Sequence, residues 1–154
     1  MKFKLIHAWV LALCTLGVAA HAGEHERRLN VLPSYKQECG ACHTAYSPSM
    51  LPAASWQRIM SGLDRHYGVD ASLDAKTVSE LSQWLHQHAG TSRRVAEVPP
   101  QDRITRSAWF ERKHREVSAA VWKRASVRSR AQCAACHTGA DQGDYDEDRV
   151  RIPR

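Results

Sequence analysis

Glu38-Cys39-Gly40-Ala41-Cys42-His43-Thr44 and, far downstream, Gln132-Cys133-Ala134-Ala135-Cys136-His137-Thr138 share one five-residue core, Cys-x-x-Cys-His. That spacing is the attachment pattern of a c-type haem. Two thiols add across the two vinyl groups of the porphyrin, and two intervening residues let one turn of chain span the gap between those groups. The next residue then lies below the ring, where its imidazole binds iron as the proximal ligand. The two copies predict two covalently bound c-type haems, attached through Cys39 and Cys42 and through Cys133 and Cys136, with His43 and His137 as proximal iron ligands. A zinc site is the rival reading of these residue types. It needs a second ligand pair close by to close four positions, whereas each pair here stands alone with its own histidine.

Working outward, the first residues of the 154-residue chain read as an export signal. Lys2 and Lys4 form a basic start, Trp9 to Ala20 is an apolar core too short to span a bilayer, and Ala20-His21-Ala22 is a cleavage site. Residues 1–22 are expected to be removed, and Cys14 with them. The remaining four cysteines all belong to the two motifs, so none is left for a disulfide. Export fits the chemistry, because c-type haem is attached outside the cytoplasm, which points to the periplasm. Losing Lys2 and Lys4 leaves 20 basic and 16 acidic side chains, a net charge of +4. That modest, uneven charge suits docking to charged proteins and is no argument for nucleic-acid binding.

The polar stretch Thr91 to Arg103, with Pro99-Pro100 inside it, cannot continue a helix. It divides the mature chain into an N-terminal haem lobe, residues 23–95, and a C-terminal haem lobe, residues 96–154. Helical periodicity places a short helix over 35–44, with the first motif on it. A second covers 55–67, where Trp56, Ile59, Met60, Leu63 and Tyr67 share a face. A third, from Asp74 to Ala89, has Asp74 as N-cap, Leu73 and Val78 as a staple and Gly90 as its stop. A fourth covers 107–125, and a short helix over 132–137 carries the second motif. No period-2 pattern marks a strand. The expectation is an all-α protein of two small c-type cytochrome lobes, each built around its haem. The acidic run from Asp141 to Asp148 reads as a solvated tail or as a docking patch for a basic partner.

Whether each iron has a second protein ligand separates an electron carrier from a catalyst, since an iron with one ligand can bind oxygen, peroxide or nitrite. His66 follows His43 by 23 residues and His114 precedes His137 by 23. Each shares a helix face with apolar neighbours, His66 with Leu63 and His114 with Val117 and Val121. Both are expected as distal ligands. In the first lobe His88, Met60 and Met50 remain as rivals, while His86 points away from the apolar face. Trp56, Trp84, Trp109 and Trp122 are expected to pack around the porphyrins.

The chain resembles the small periplasmic dihaem cytochromes c, the DHC family. The resemblance is carried by Glu38 to Tyr46, Leu51 to Trp56, Gly62-Leu63, His66-Tyr67-Gly68 and Asp70 to Leu73. Downstream it is carried by Ile104-Thr105, Trp109-Phe110, Lys113 to Val117, Trp122 and Cys133 to His137. It implies two bis-histidine haems in two lobes, which favours His66 and His114. It also implies electron delivery between a membrane cytochrome b and a small monohaem cytochrome able to bind oxygen. The expected protein is an electron carrier and not an enzyme, a monomer with no membrane span after cleavage. A small dihaem oxidoreductase with one open haem, acting on peroxide, a nitrogen oxide or a sulfur compound, is the alternative.

Overall fold

The computed structural model describes residues 31–154; the expected leader, its cleavage site and Cys14 lie outside them. Five α-helices occur among the described residues: α1 (Pro33–Gly40), α2 (Ala53–Met60), α3 (Ala75–His88), α4 (Ala108–Lys113) and α5 (Ala119–Trp122). Short 3₁₀ turns join them. No strand forms among these residues, only an isolated bridge between His66 and Val69. The protein is all-α, and no described helix is long and apolar enough to cross a membrane.

The helices are shorter than periodicity predicts, and local chemistry explains each ending. α1 starts on Pro33, whose fixed φ suits a first turn, but it stops at Gly40, so only Cys39 and Gly40 of the first motif are helical. α2 stops at Met60 rather than Tyr67. Gly62 leaves the helical region (φ −129, ψ 31), and the separate 3₁₀ turn Leu63–Arg65 follows it. The expected helix over 107–125 is two helices. Ser107 caps α4 by accepting from the Phe110 N–H at 3.3 Å. His114 then leaves helical geometry (φ −108, ψ 13), and Ser118, in extended conformation, starts α5. The second motif lies on a 3₁₀ turn, Cys133–Ala135. α3 matches its expected span to within a residue. Asp74 accepts from the N–H groups of Lys76 and Thr77, both at 3.0 Å, satisfying two donors that a helix start leaves open.

The main core lies between α1, α2 and α3. Tyr35, Leu51, Trp56, Met60, Leu81 and Leu85 are buried together, and Ile104 joins them from beyond the Pro99-Pro100 break. Tyr35 and Trp56 satisfy their polar atoms on backbone carbonyls, Tyr35 on Tyr46 and Trp56 on Pro48, each at 2.7 Å. α3 ends at His88, one residue short of its expected end, because Ala89 already leaves helical geometry (ψ 153), and Gly90 then passes the Ser49 carbonyl. A Cβ there would collide with that backbone and come within 2.6 Å of Val95 Cγ2. In the C-terminal part the fully buried apolar residues are fewer, chiefly Phe110, Val127 and Ala140. The acidic segment is folded back rather than loose. Glu147 pairs with Lys113, Arg149 pairs with Asp144 and Asp146, and the Arg151 N–H donates to the Cys136 carbonyl at 2.9 Å.

Candidate functional site

In the first site, α1 carries Cys39 in its last turn, and the chain then unwinds so that Cys42 is exposed and His43 follows it. The Nδ1–H of His43 donates to the Thr44 carbonyl at 2.7 Å. A carbonyl can only accept, so this bond fixes the tautomer and leaves Nε2 with its lone pair free. His66 sits at the bend after the Leu63–Arg65 turn, not on a helix. Tyr67 (φ 53) and Gly68 (φ 97) turn the backbone sharply there, and the Val69 N–H closes the bend on the His66 carbonyl at 3.1 Å. The bend aims the His66 ring at His43. Their centroids are 6.2 Å apart and their planes differ by 19°. Burial, with help from His43 and Arg103, holds His66 below the usual histidine range, which favours the neutral, ligating form.

The second site has the same parts in reverse chain order. His114 is the residue just past α4. Its Nδ1–H donates to the Phe110 carbonyl at 2.9 Å, and its ring stacks on the Phe110 ring at 4.0 Å and 21°. Again Nε2 is left free. The facing ring is His137, with 6.1 Å between centroids and 74° between planes. Burial, then the neighbouring His114, lowers the His137 pKa as well.

Two imidazoles on opposite sides of one metal, each bonded at about 2.0–2.1 Å, put their ring centres roughly 6.3–6.5 Å apart. Both pairs come close to that separation, at 6.2 Å and 6.1 Å. The rival donors are engaged elsewhere. The His88 ring lies against Trp84 at 5.0 Å, whereas the ring that stacks toward His43 is His66. Met60 is buried in the core and Met50 packs against it, while His86 is exposed.

The donor set fits haem better than zinc. Among the described residues no three His, Cys, Asp or Glu side chains converge as a metal cage. The four cysteines form no disulfide. Burial pushes the Cys39 and Cys133 thiols each up to about 11, so both stay protonated at neutral pH. Around the C-terminal ring pair, three buried polar atoms find no protein partner: Trp109 Nε1, Arg130 Nε and His137 Nδ1. Arg103 lies 4.0 Å from the Tyr67 ring, and Arg130 lies 5.1 Å from Phe110 and 5.3 Å from Trp122. These cations and N–H donors suit an apolar plane carrying carboxylates.

One feature of the site has no signal in the sequence: the two motifs touch. Gln132 Nε2 donates to the Cys42 carbonyl at 2.8 Å, the Tyr46 hydroxyl to the Ala131 carbonyl at 3.3 Å, and the Ala134 N–H to Thr44 Oγ1 at 3.4 Å. Thr44 itself is buried.

Comparison with known proteins is consistent with this geometry. The sequence model of the dihaem cytochrome c family matches residues 35–145. A diheme cytochrome c from Shewanella baltica, solved by X-ray diffraction, is 38% identical; the alignment covers 79% of this chain and 92% of that one, with a TM-score of 0.68. A diheme cytochrome c from Rhodobacter sphaeroides is 40% identical over 75% of this chain and 98% of its own, with a TM-score of 0.66. No curated protein matches.

Proposed function

The chain belongs to the dihaem cytochrome c family, electron-transfer proteins with two covalently bound c-type haems, and from that premise we propose that it is a two-centre electron carrier with both irons closed. Cys39, Cys42, Cys133 and Cys136 attach the haems. His43 and His66 hold one iron, and His137 and His114 the other. When bound, each haem supplies an iron that passes between ferric and ferrous states. The chain's part is to hold two imidazoles on each metal, so that the redox change moves no ligand and admits no substrate. The observation that carries this reading is the pair of facing imidazoles at ligating separation in each site.

The chain works in the periplasm after loss of residues 1–22. It passes electrons between a membrane cytochrome b and a small monohaem oxygen-binding cytochrome, docking through the exposed basic side chains Arg112, Lys113 and Arg115 in and just after α4. The lobes, 23–95 and 96–154, each hold one haem. Carbon monoxide tests the closed irons. Added to the reduced holoprotein, it should leave the visible spectrum unchanged, whereas a rapid high-affinity shift would show an open haem. Turnover of peroxide, nitrite or tetrathionate with a low-potential donor would overturn the carrier reading in favour of an enzyme.

A further inference from the structure

The two histidine pairs have nearly equal separations but different orientations. The planes of His43 and His66 differ by 19°, those of His114 and His137 by 74°. We propose that Phe110 is a positioning residue that crosses the ligand planes of the C-terminal site, making its iron electronically unlike the near-parallel N-terminal one. This inference rests on the four histidines being the axial ligands.

The physical basis lies in the iron d orbitals. Low-spin ferric iron has one hole in its two π-type d orbitals. Parallel imidazoles donate π density into the same one of the two and split them, so the hole settles in the raised orbital and the ferric state gains stability. Crossed imidazoles raise both alike. The pair stays nearly degenerate, orbital angular momentum is preserved, and the ferric state loses that gain. Ligand orientation is thereby a lever on potential beside ligand identity and hydrogen bonding. The hydrogen-bond lever is balanced here, since one histidine of each pair donates Nδ1–H to a backbone carbonyl, His43 to Thr44 and His114 to Phe110.

Phe110 grips His114 at two points. Its carbonyl receives Nδ1, and its ring lies against the imidazole face at 4.0 Å. The carbonyl fixes which edge of the ring turns inward, and the stack fixes the ring's rotation. Phe110 cannot follow the imidazole if it turns, because it is buried and wedged between Arg130 and Trp122. The first site has no such clamp. The rings nearest His66 and His43 are Tyr67 at 4.7 Å and Tyr46 at 5.1 Å, both tilted.

The test is the EPR spectrum of the ferric holoprotein. The expected result is one rhombic low-spin signal and one strongly anisotropic low-spin signal with a single large g value. Two rhombic signals, or two strongly anisotropic ones, would overturn the inference while leaving bis-histidine ligation intact. A high-spin signal would instead break the ligation reading on which it rests. The variant Phe110→Leu keeps the carbonyl but loses the stack. It should move the anisotropic signal toward rhombic and lower one of the two reduction potentials, and Phe110→Tyr should restore both. Movement of the rhombic signal instead, or no movement in Phe110→Leu, would remove Phe110 from this role; if that variant does not fold, Phe110→Met, which also loses the aromatic stack, is read by the same two outcomes.

Discussion

At the residue scale, the proposed distal histidines are the side chains on which function turns. His66 and His114 each sit where a helix has just ended, so neither is tied into a helical backbone ladder on its C-terminal side. Replacing either by alanine leaves its iron with one protein ligand and an open position. In His66→Ala and in His114→Ala, carbon monoxide should shift the spectrum of the reduced protein by about half the amplitude expected for two open haems. The double variant should give the full amplitude, and a single variant that stays insensitive would reassign that ligand. Spacing alone singles out His43 and His137 as candidates, because the motif is local chemistry. The distal pair was legible only as candidates. Their helix-face argument does not survive, since neither lies within a helix, yet these are the rings that face His43 and His137. Phe110 and Thr44 could not be found from sequence. Each acts through a backbone carbonyl or a contact distant in the chain, which leaves no residue pattern.

At the element scale, the sequence overstates helix length wherever apolar spacing runs on past a break. Leu63 and Tyr67 keep the 3.6-residue period of α2, but Gly62 has already left the helical region, so Leu63 is only half-buried in a 3₁₀ turn and Tyr67 stands exposed at a bend. α3 is read correctly because its start is chemical: Asp74 is a strong N-cap whatever its surroundings. α2 is also tied to the turn at 100–102. Arg58 Nη2 lies 2.6 Å from Asp102 Oδ1, and this guanidinium holds the Asp102 carboxyl below the usual carboxylate range. The sign follows directly. With its folded pKa depressed, Asp102 stabilises the fold fully above the unfolded value of about 3.9 and loses that contribution as pH falls through the folded value. Asp102→Asn removes it. Asparagine also tolerates the positive φ of 56 at this position, so the substitution isolates the charge. Acid-unfolding curves of holoprotein and variant should diverge at neutral pH and converge below the carboxylate range. Parallel curves throughout would show that the pair adds nothing to the fold.

At the scale of the whole molecule, the adjoining motifs make two haem sites one device. Segments far apart in sequence are held by three hydrogen bonds, and Thr44 is the buried one of their side chains. Thr44→Val keeps the shape but leaves the part-buried Ala134 N–H without its protein acceptor, a loss of about 0.5–1.5 kcal/mol. Chemical denaturation of the holoprotein measures it, and a neutral result would mean the segments are held by packing alone. The same contact has a kinetic consequence. With each haem attached at its motif, as proposed, touching motifs bring the two attachment edges together, and an electron delivered to one site should redistribute to the other before a second molecule is met. Pulse reduction with far less than one electron per protein should therefore yield both reduced haems in the ratio set by their potentials, at a rate independent of protein concentration. A redistribution rate that rises with concentration would mean that electrons pass between molecules, and the joined motifs would then serve stability and not conduction.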